Sequence, residues 1–377
     1  MRPTWAEISL ANLRQNFKNI QQHVGKDVAV CAVIKANAYG HGVVPCARAL
    51  VEAGAAWFGV TSTEEGIRLR ASGIAARILL MTGFWRGEED EVVNHNLTPL
   101  VWEPWHVDLL AKAAVKLARA PFAIHLKIDT GMARLGASCR ILPEFLQLIK
   151  NTRALQLEGI ATHLKSAEIL DAADVPEQLC CFHNVQDMVE QAGFEPTYCH
   201  LANTAALAAR RETWNSMVRP GICLYGYNLH FECDRKSRPI SLPNVAPVLT
   251  WKTRVISMRD VGANQAIGYD GKYVTRVPAR LATLPVGYAD GLSRQLSSRG
   301  QVIIRDTYAR VVGNVAMDLT IVDVSSVPAA AVGDMVILLG SSDHCSISAW
   351  QHAELENTIP YEVLCRIDHR VRREYVG

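Results

Sequence analysis

The 377-residue chain has no run approaching the ~18 consecutive apolar residues of a membrane-spanning helix. Its opening residues, MRPTWAEISL, lack the apolar core of a secretory signal. These absences point to a cytoplasmic protein with no membrane partner. Charge of one sign is not in excess either. Lysine and arginine number 39 against 37 aspartate and glutamate, a net +2 that leaves no electrostatic footprint for nucleic acid. The ten cysteines include no CxxC pair and read as free thiols of a reducing compartment, not as a disulfide framework. The twelve histidines form no HExxH or similar spacing, so no metal is expected. No internal repeat or low-complexity tract stands out. What is left is an ordinary globular balance, 49% hydrophobic and 20% charged. The length exceeds one typical core of about 100–200 residues, which favours two domains.

Buried parallel strands show as short continuous apolar runs. The first two-thirds holds eight: 28–34, 57–60, 77–81, 97–101, 122–128, 157–162, 196–202 and 217–223. Segments of helical spacing lie between most of them, such as VPCARALVEAGA (44–55), EFLQLIKN (144–151) and CFHNVQDMVEQAG (181–193). Pro45 near the start and Gly54 near the end of the first suit helix termini. Eight strand–helix repeats over about 230 residues match a (β/α)8 barrel. A doubly wound open sheet shares the alternation. Near residue 230 the pattern changes. HFECDRKSRPISLPNVAP (230–247) reads as a linker, and the runs after it, separated by turn signals, read as a mainly antiparallel β domain. The expected division is 1–234 and 235–377, with the first few residues pairing with the β domain. AWQHAELEN reads as a helix, and VLCRIDHRVRREYV (363–376) as a last strand-like stretch.

Functional residues of a barrel gather at the C-terminal ends of its strands. Lys35 and Tyr39 follow the first apolar run, in AVIKANAYGHG. KIDTGMARLG sets Lys127, Asp129 and Arg134 at or after the fifth. THLK sets His163 and Lys165 after the sixth, HLANTAA sets Asn203 and Thr204 after the seventh, and VRPGICLYG sets Arg219, Gly221, Ile222 and Tyr225 in or after the eighth. A lysine often ends a strand by reaching for solvent. Desolvated by apolar neighbours it instead loses its charge and becomes a Schiff-base former. Thr204, Tyr39 and the amides of Gly221 and Ile222 offer donors for a phosphate, which barrels often hold after strands seven and eight. A Schiff-base lysine facing a phosphate cradle is what pyridoxal 5′-phosphate requires.

These motifs, with IGYDG, GYADG, VAMD and YEVLCRI following in order, resemble the alanine racemase family from about residue 3 to the C-terminus. The resemblance implies a barrel followed by a β domain, pyridoxal 5′-phosphate as cofactor, a small amino acid as substrate, and a homodimer whose active sites are shared between subunits. It implies that Lys35 binds the cofactor and acts on the D-enantiomer, and that Tyr269, from the other subunit, acts on the L-enantiomer. A free phenol has a pKa of about 10, so groups around it must stabilise its anion. His163, backed by Arg219, matches that role. Arg219 matches the residue facing the pyridine nitrogen. The phosphate would rest on Tyr39, Thr204, Gly221, Ile222 and Tyr361, with Asn203 beside it. Arg134 and the backbone N–H of Met317 would meet the substrate carboxylate. Lys127 matches a lysine carbamylated in many members. Glu168, Tyr288 and Arg294 match residues lining the corridor through which substrate enters.

The sequence departs from the family pattern at Thr204 for a usual serine, Asn314 for a usual arginine or glutamine, Ala316 for a usual serine and Glu168 for a usual aspartate. None of these removes a catalytic group. The product D-alanine would point to bacterial peptidoglycan synthesis. Three other readings share features. A racemase of serine or a broader amino-acid set has the same site. The related pyridoxal-phosphate amino-acid decarboxylases usually carry glutamate where VRPG has Arg219. The single-barrel pyridoxal-phosphate-binding proteins lack a second domain.

Overall fold

A computed structural model describes residues 2–231 and 242–377. The boundary expected at 234/235, and much of the expected linker, lie outside the described residues. The chain divides into two compact units. One comprises Asn12–Ala38 and Val43–Ala246, the other Met1–Ala11, Tyr39–Gly42 and Pro247–Gly377.

In the first unit the eight apolar runs become eight parallel strands: Ala29–Val33, Trp57–Val60, Arg77–Leu80, Thr98–Val101, Phe122–Asp129, Leu155–Ala161, Tyr198–His200 and Met217–Val218. The eighth pairs with the first, and the rest follow in sequence order. The N–H of Arg219 donates to the Ala202 carbonyl at 2.8 Å, beside the remaining seam between strands seven and eight. The sheet is therefore a nearly closed barrel, and the open-sheet alternative is excluded. Cys31, Trp57, Leu79, Leu100, Ala161 and Met217, from six different strands, form one interior cluster. Burying a side chain of leucine size is worth roughly 2 kcal/mol, so each such layer is a strong reason for closure. The helix Leu142–Asn151 buries Leu142, Phe145, Leu146 and Ile149, the i, i+3, i+4, i+7 stripe of a helix lying on a sheet. The helix expected at 181–193 begins earlier and spans Asp174–Gln191.

The second unit is built on a sheet ordered Ser257–Val261, Ala279–Leu284, Thr320–Asp323, Thr307–Val311, Gln301–Ile304, Met335–Ser341, Leu249–Arg254, Thr4–Ser9 and Arg372–Val376. All its pairings are antiparallel except that of Thr4–Ser9 with Arg372–Val376. The run QVIIRDTYARVV is a hairpin, turning through Arg305 and Asp306 at φ 46° and 59°. Two consecutive left-handed residues make the turn whose twist matches that of the strands.

One element differs from the sequence reading. The stretch 363–376 is not one strand. Pro360–Cys365 is a helix with proline in its first turn, and Val363 and Leu364 are buried from it. A turn closed by the Val371 N–H on the Asp368 carbonyl then precedes the strand. Alternating apolar residues suit either element when the run is this short.

Candidate active site

Lys35 stands two residues past Val33, where the first barrel strand ends. The chain there takes a conformation no local pattern announces. Ala36, Asn37, Ala38 and Tyr39 have φ of 52°, 54°, 57° and 52°, one turn of left-handed helix without a glycine. Such backbone costs roughly 1–2 kcal/mol per residue and persists only where its surroundings over-determine it. The surroundings do so here. Glu65 accepts the Ala36 N–H on Oε1 at 2.7 Å and the Thr61 N–H on Oε2 at 2.9 Å. The Ala38 N–H donates to the Ile34 carbonyl, and Asn37 Oδ1 accepts the Val43 N–H at 2.9 Å. The strained turn thus fixes the backbone immediately after Lys35.

Arg219 is buried at the end of the eighth strand. Its Nη1 donates to His200 Nδ1 at 2.6 Å and to the His200 carbonyl at 2.7 Å. Its Nη2 donates to the carbonyls of Thr162 and Leu201 at 2.8 and 3.1 Å and reaches His163 Nδ1 at 3.5 Å. These partners are carbonyls and imidazoles, not carboxylates. Burial brings the guanidinium down to about 10. It nonetheless stays charged at neutral pH and can only donate.

Lys127 lies on the fifth strand, two residues after His125 and on the same face. Burial first, then the charges of Arg219 and Arg134 and that of Lys35, lower its ammonium to about 8. The same causes, burial and then Arg219, Arg134, Lys127 and Lys35, lower His163 to about 3. The structure thus gathers Lys35, Lys127, Arg134, His163 and Arg219 into one positive field. The loop carrying Arg134 is tied back by Asp129 Oδ1, which accepts the N–H groups of Gly131 and Ala133 at 2.9 and 3.1 Å. Gly136 closes that loop at φ 137°, where an added Cβ would stand 2.4 Å from the Asp129 nitrogen.

Thr204 Oγ1 accepts the Gly221 N–H at 2.9 Å, so the amide expected to hold a phosphate is engaged by the hydroxyl expected beside it. Ile222 opens the short 3-10 turn that follows. Asn203 caps the helix Thr204–Ala209 through the Ala206 N–H, and it lines a cleft with Glu168, Lys165, Ser166 and His230. Glu168 itself is exposed.

The other expected residues belong to the second unit. Tyr39 and Tyr361 form a tilted ring pair with centroids 5.9 Å apart. Tyr269 is 70% exposed and Met317 54% exposed. Asn314 Nδ2 donates to the Tyr269 carbonyl at 3.2 Å and reaches Asp270 Oδ2 at 3.3 Å, clasping the turn that presents the phenol. The Tyr288 N–H donates to the Ala316 carbonyl and the Ala289 N–H to the Met317 carbonyl, both at 3.0 Å, joining the two loops. Arg294 opens a separate 3-10 turn, Arg294–Leu296. Sequence reasoning noted Asn314 only as a departure and missed Glu65, His125, Glu158 and His200 as supports. The one signal available was the alternation in FAIHLKI, which puts His125 and Lys127 on one face.

Comparison with known proteins agrees with this architecture. The family model described as alanine racemase, N-terminal domain, matches residues 8–229, and that described as alanine racemase, C-terminal domain, matches 248–375. An alanine racemase of Halothermothrix orenii is 38% identical over 375 residues, 99% of this chain and 97% of that protein. The crystal structure of alanine racemase from Streptomyces lavendulae superposes with a TM-score of 0.91 at 32% identity, covering 100% of this chain and 98% of that one. That of alanine racemase from Bartonella henselae with covalently bound pyridoxal phosphate has a TM-score of 0.86 at 28% identity, covering 100% of both chains. With both family domains matched in order on a barrel and a β unit, the chain belongs to the alanine racemase family, whose members are pyridoxal-phosphate-dependent racemases.

Proposed function

We propose that this protein interconverts L- and D-alanine with pyridoxal 5′-phosphate, as a homodimer whose sites are shared. The observation carrying the reading is a buried, donor-only guanidinium, Arg219, in one field with Lys35 at the end of a strand. The residues present fit the cofactor. Lys35 would hold its carbonyl carbon, Arg219 would donate to its ring nitrogen, and the Thr204 hydroxyl with the Ile222 amide would bind its phosphate, joined by the Gly221 amide once that N–H turns from Thr204 Oγ1. Tyr39 and Tyr361 are added as phosphate ligands on the resemblance alone. When bound, the cofactor supplies the electron sink that acidifies the substrate Cα.

The chain's own groups then divide the work. Lys35 Nζ moves the proton on one face of Cα, and the partner subunit's Tyr269 moves it on the other. The pair serves both enantiomers because each group takes a proton the other returns. His163, whose Nδ1 lies 3.5 Å from Arg219 Nη2, would steady the phenolate through its other ring nitrogen, Nε2. Arg219, which can only donate, would keep the ring nitrogen of a bound cofactor unprotonated and so weaken the sink it supplies. That favours return of the proton to Cα over transamination. Arg134, oriented by a carbamate on Lys127, and the partner subunit's Met317 N–H would hold the substrate carboxylate. Glu168, Tyr288 and Arg294 would line the corridor. Exposure of Tyr269 and Met317 in the isolated chain supports their presentation to a neighbour. No helix among the described residues is long and apolar enough to cross a membrane. A cytoplasmic site of action and a role in peptidoglycan synthesis rest on the family resemblance.

The test is a panel of L-amino acids incubated with the holoenzyme in D2O. Deuterium should enter Cα of alanine together with loss of optical rotation. Carbon dioxide release without exchange would refute the reading in favour of a decarboxylase.

A further inference from the structure

Below Arg219 a continuous line of polar side chains runs through the barrel interior. Arg219 Nη1 meets His200 Nδ1 at 2.6 Å. His200 Nε2 meets His125 Nδ1 at 2.9 Å, and His125 Nε2 stands 3.3 Å from Glu158 Oε2. Glu158 is in turn gripped by both Nη atoms of Arg77. His125 and His200 have no exposed surface.

The chemistry of the two ends fixes every proton between them. A guanidinium only donates, so His200 Nδ1 must be bare and Nε2 must carry its hydrogen. That hydrogen points at His125 Nδ1, which must also be bare, so the His125 hydrogen points at a carboxylate, which only accepts. Both rings lie below the ordinary imidazole range and are neutral: burial is the largest cause at each, reinforced at His200 by the charge of Arg219 and opposed, but not overcome, at His125 by the Glu158 carboxylate. The His125 ring has little room to turn over. Trp57 and Tyr198 pack on it with centroids 5.6 and 5.8 Å away. A Cβ at Gly159 would stand 2.6 Å from His125 Nδ1. Gly159 therefore exists as glycine to admit this ring, although no turn requires it there.

We propose that Glu158 is a positioning residue for Arg219: through His125 and His200 its carboxylate imposes one proton arrangement along the barrel interior, and this presents a bare His200 Nδ1 that keeps the guanidinium charged and aimed. The inference rests on the reading that Arg219 meets the cofactor's ring nitrogen. Glu158 thereby contributes to the choice of racemisation over transamination without touching cofactor or substrate.

The test uses imidazole 15N NMR of the protein with and without pyridoxal phosphate, together with the ratio of transamination to racemisation of the holoenzyme. In the wild type both rings should show one tautomer, Nε2 protonated. Glu158→Gln should bring protonated Nδ1 into the His200 signal in both states and raise the transamination ratio about tenfold, with the KM for alanine changed less than twofold. A single unchanged tautomer in Glu158→Gln would overturn the proposal. So would altered tautomers with an unchanged ratio, provided Arg219→Glu raises that ratio. If Arg219→Glu leaves it unchanged, the reading of Arg219 fails instead. Should Glu158→Gln not fold, His125→Phe and His125→Gln decide. The amide can accept from His200 and donate to Glu158, so Gln should retain the wild-type ratio while Phe raises it; equal ratios would refute the relay.

Discussion

At Lys127, burial and the charges of Arg219, Arg134 and Lys35 bring the ammonium to about 8, so that a large share is neutral at mildly alkaline pH. Only the neutral amine attacks carbon dioxide, forming the N–C bond and releasing one proton. With 13C-bicarbonate, a carbamate signal should grow as pH rises through about 8 and be missing in Lys127→Ala. No such signal in the wild type would show an unmodified lysine. Glu158 is the opposite case. Burial pushes its carboxyl up, but hydrogen bonds from His125 and Arg77 outweigh that and hold it at about 2, against an ordinary 4.5. A depressed carboxyl stabilises the fold fully above its unfolded value and loses that contribution as pH falls toward its folded one. The gap in urea stability between wild type and Glu158→Gln should therefore narrow below about pH 4.5, and a constant gap would contradict the assigned charge.

Among the elements, the left-handed turn after Lys35 stores the most conformational cost, and Glu65 is its main external brace. Glu65→Ala strips acceptors from the N–H groups of Ala36 and Thr61, each charge-assisted bond being worth about 1.5–3 kcal/mol. Melting temperature should drop and alanine turnover should fall more than KM rises, with Glu65→Gln intermediate. Turnover equal to wild type in Glu65→Ala would mean that the turn holds itself. The existence of most elements was legible from sequence, since apolar runs and helical stripes report burial directly. The turn was not: AVIKANAYGHG carries its glycines after it, at Gly40 and Gly42, and its external brace, Glu65, lies 29 positions beyond Ala36. The helix Pro360–Cys365 was misread for a related reason, because a short apolar run does not specify its period.

For the molecule as a whole, the proposal that sites are shared makes a strict demand on subunit mixing. Lys35→Ala and Tyr269→Phe homodimers should each be nearly inactive toward L-alanine. Unfolded together and refolded, they should regain activity, because a mixed dimer holds one site with both groups intact. No regain would place Lys35 and Tyr269 in the same subunit's site. Tyr269→Phe alone should slow proton removal from L-alanine far more than from D-alanine, and equal loss in both directions would refute the two-face assignment. The exposed phenol explains why no single-chain packing argument could have singled out Tyr269. Its signal was only the place of IGYDG among the other motifs.

The order of apolar runs by itself determined a parallel strand–helix sheet, because strands buried on both faces have no other composition open to them; its closure into a barrel was decided by the pairing of the eighth strand with the first. That order also determined that reactive residues collect at strand ends, since those are the positions where such a strand meets solvent. Tertiary structure alone decided the charge and aim of those residues. Arg219 depends on positions 162, 200 and 201, and through them on 125 and 158, which are neighbours only once the sheet has closed. Hydrogen bonding and desolvation act over a few ångströms of space and are indifferent to separation along the chain.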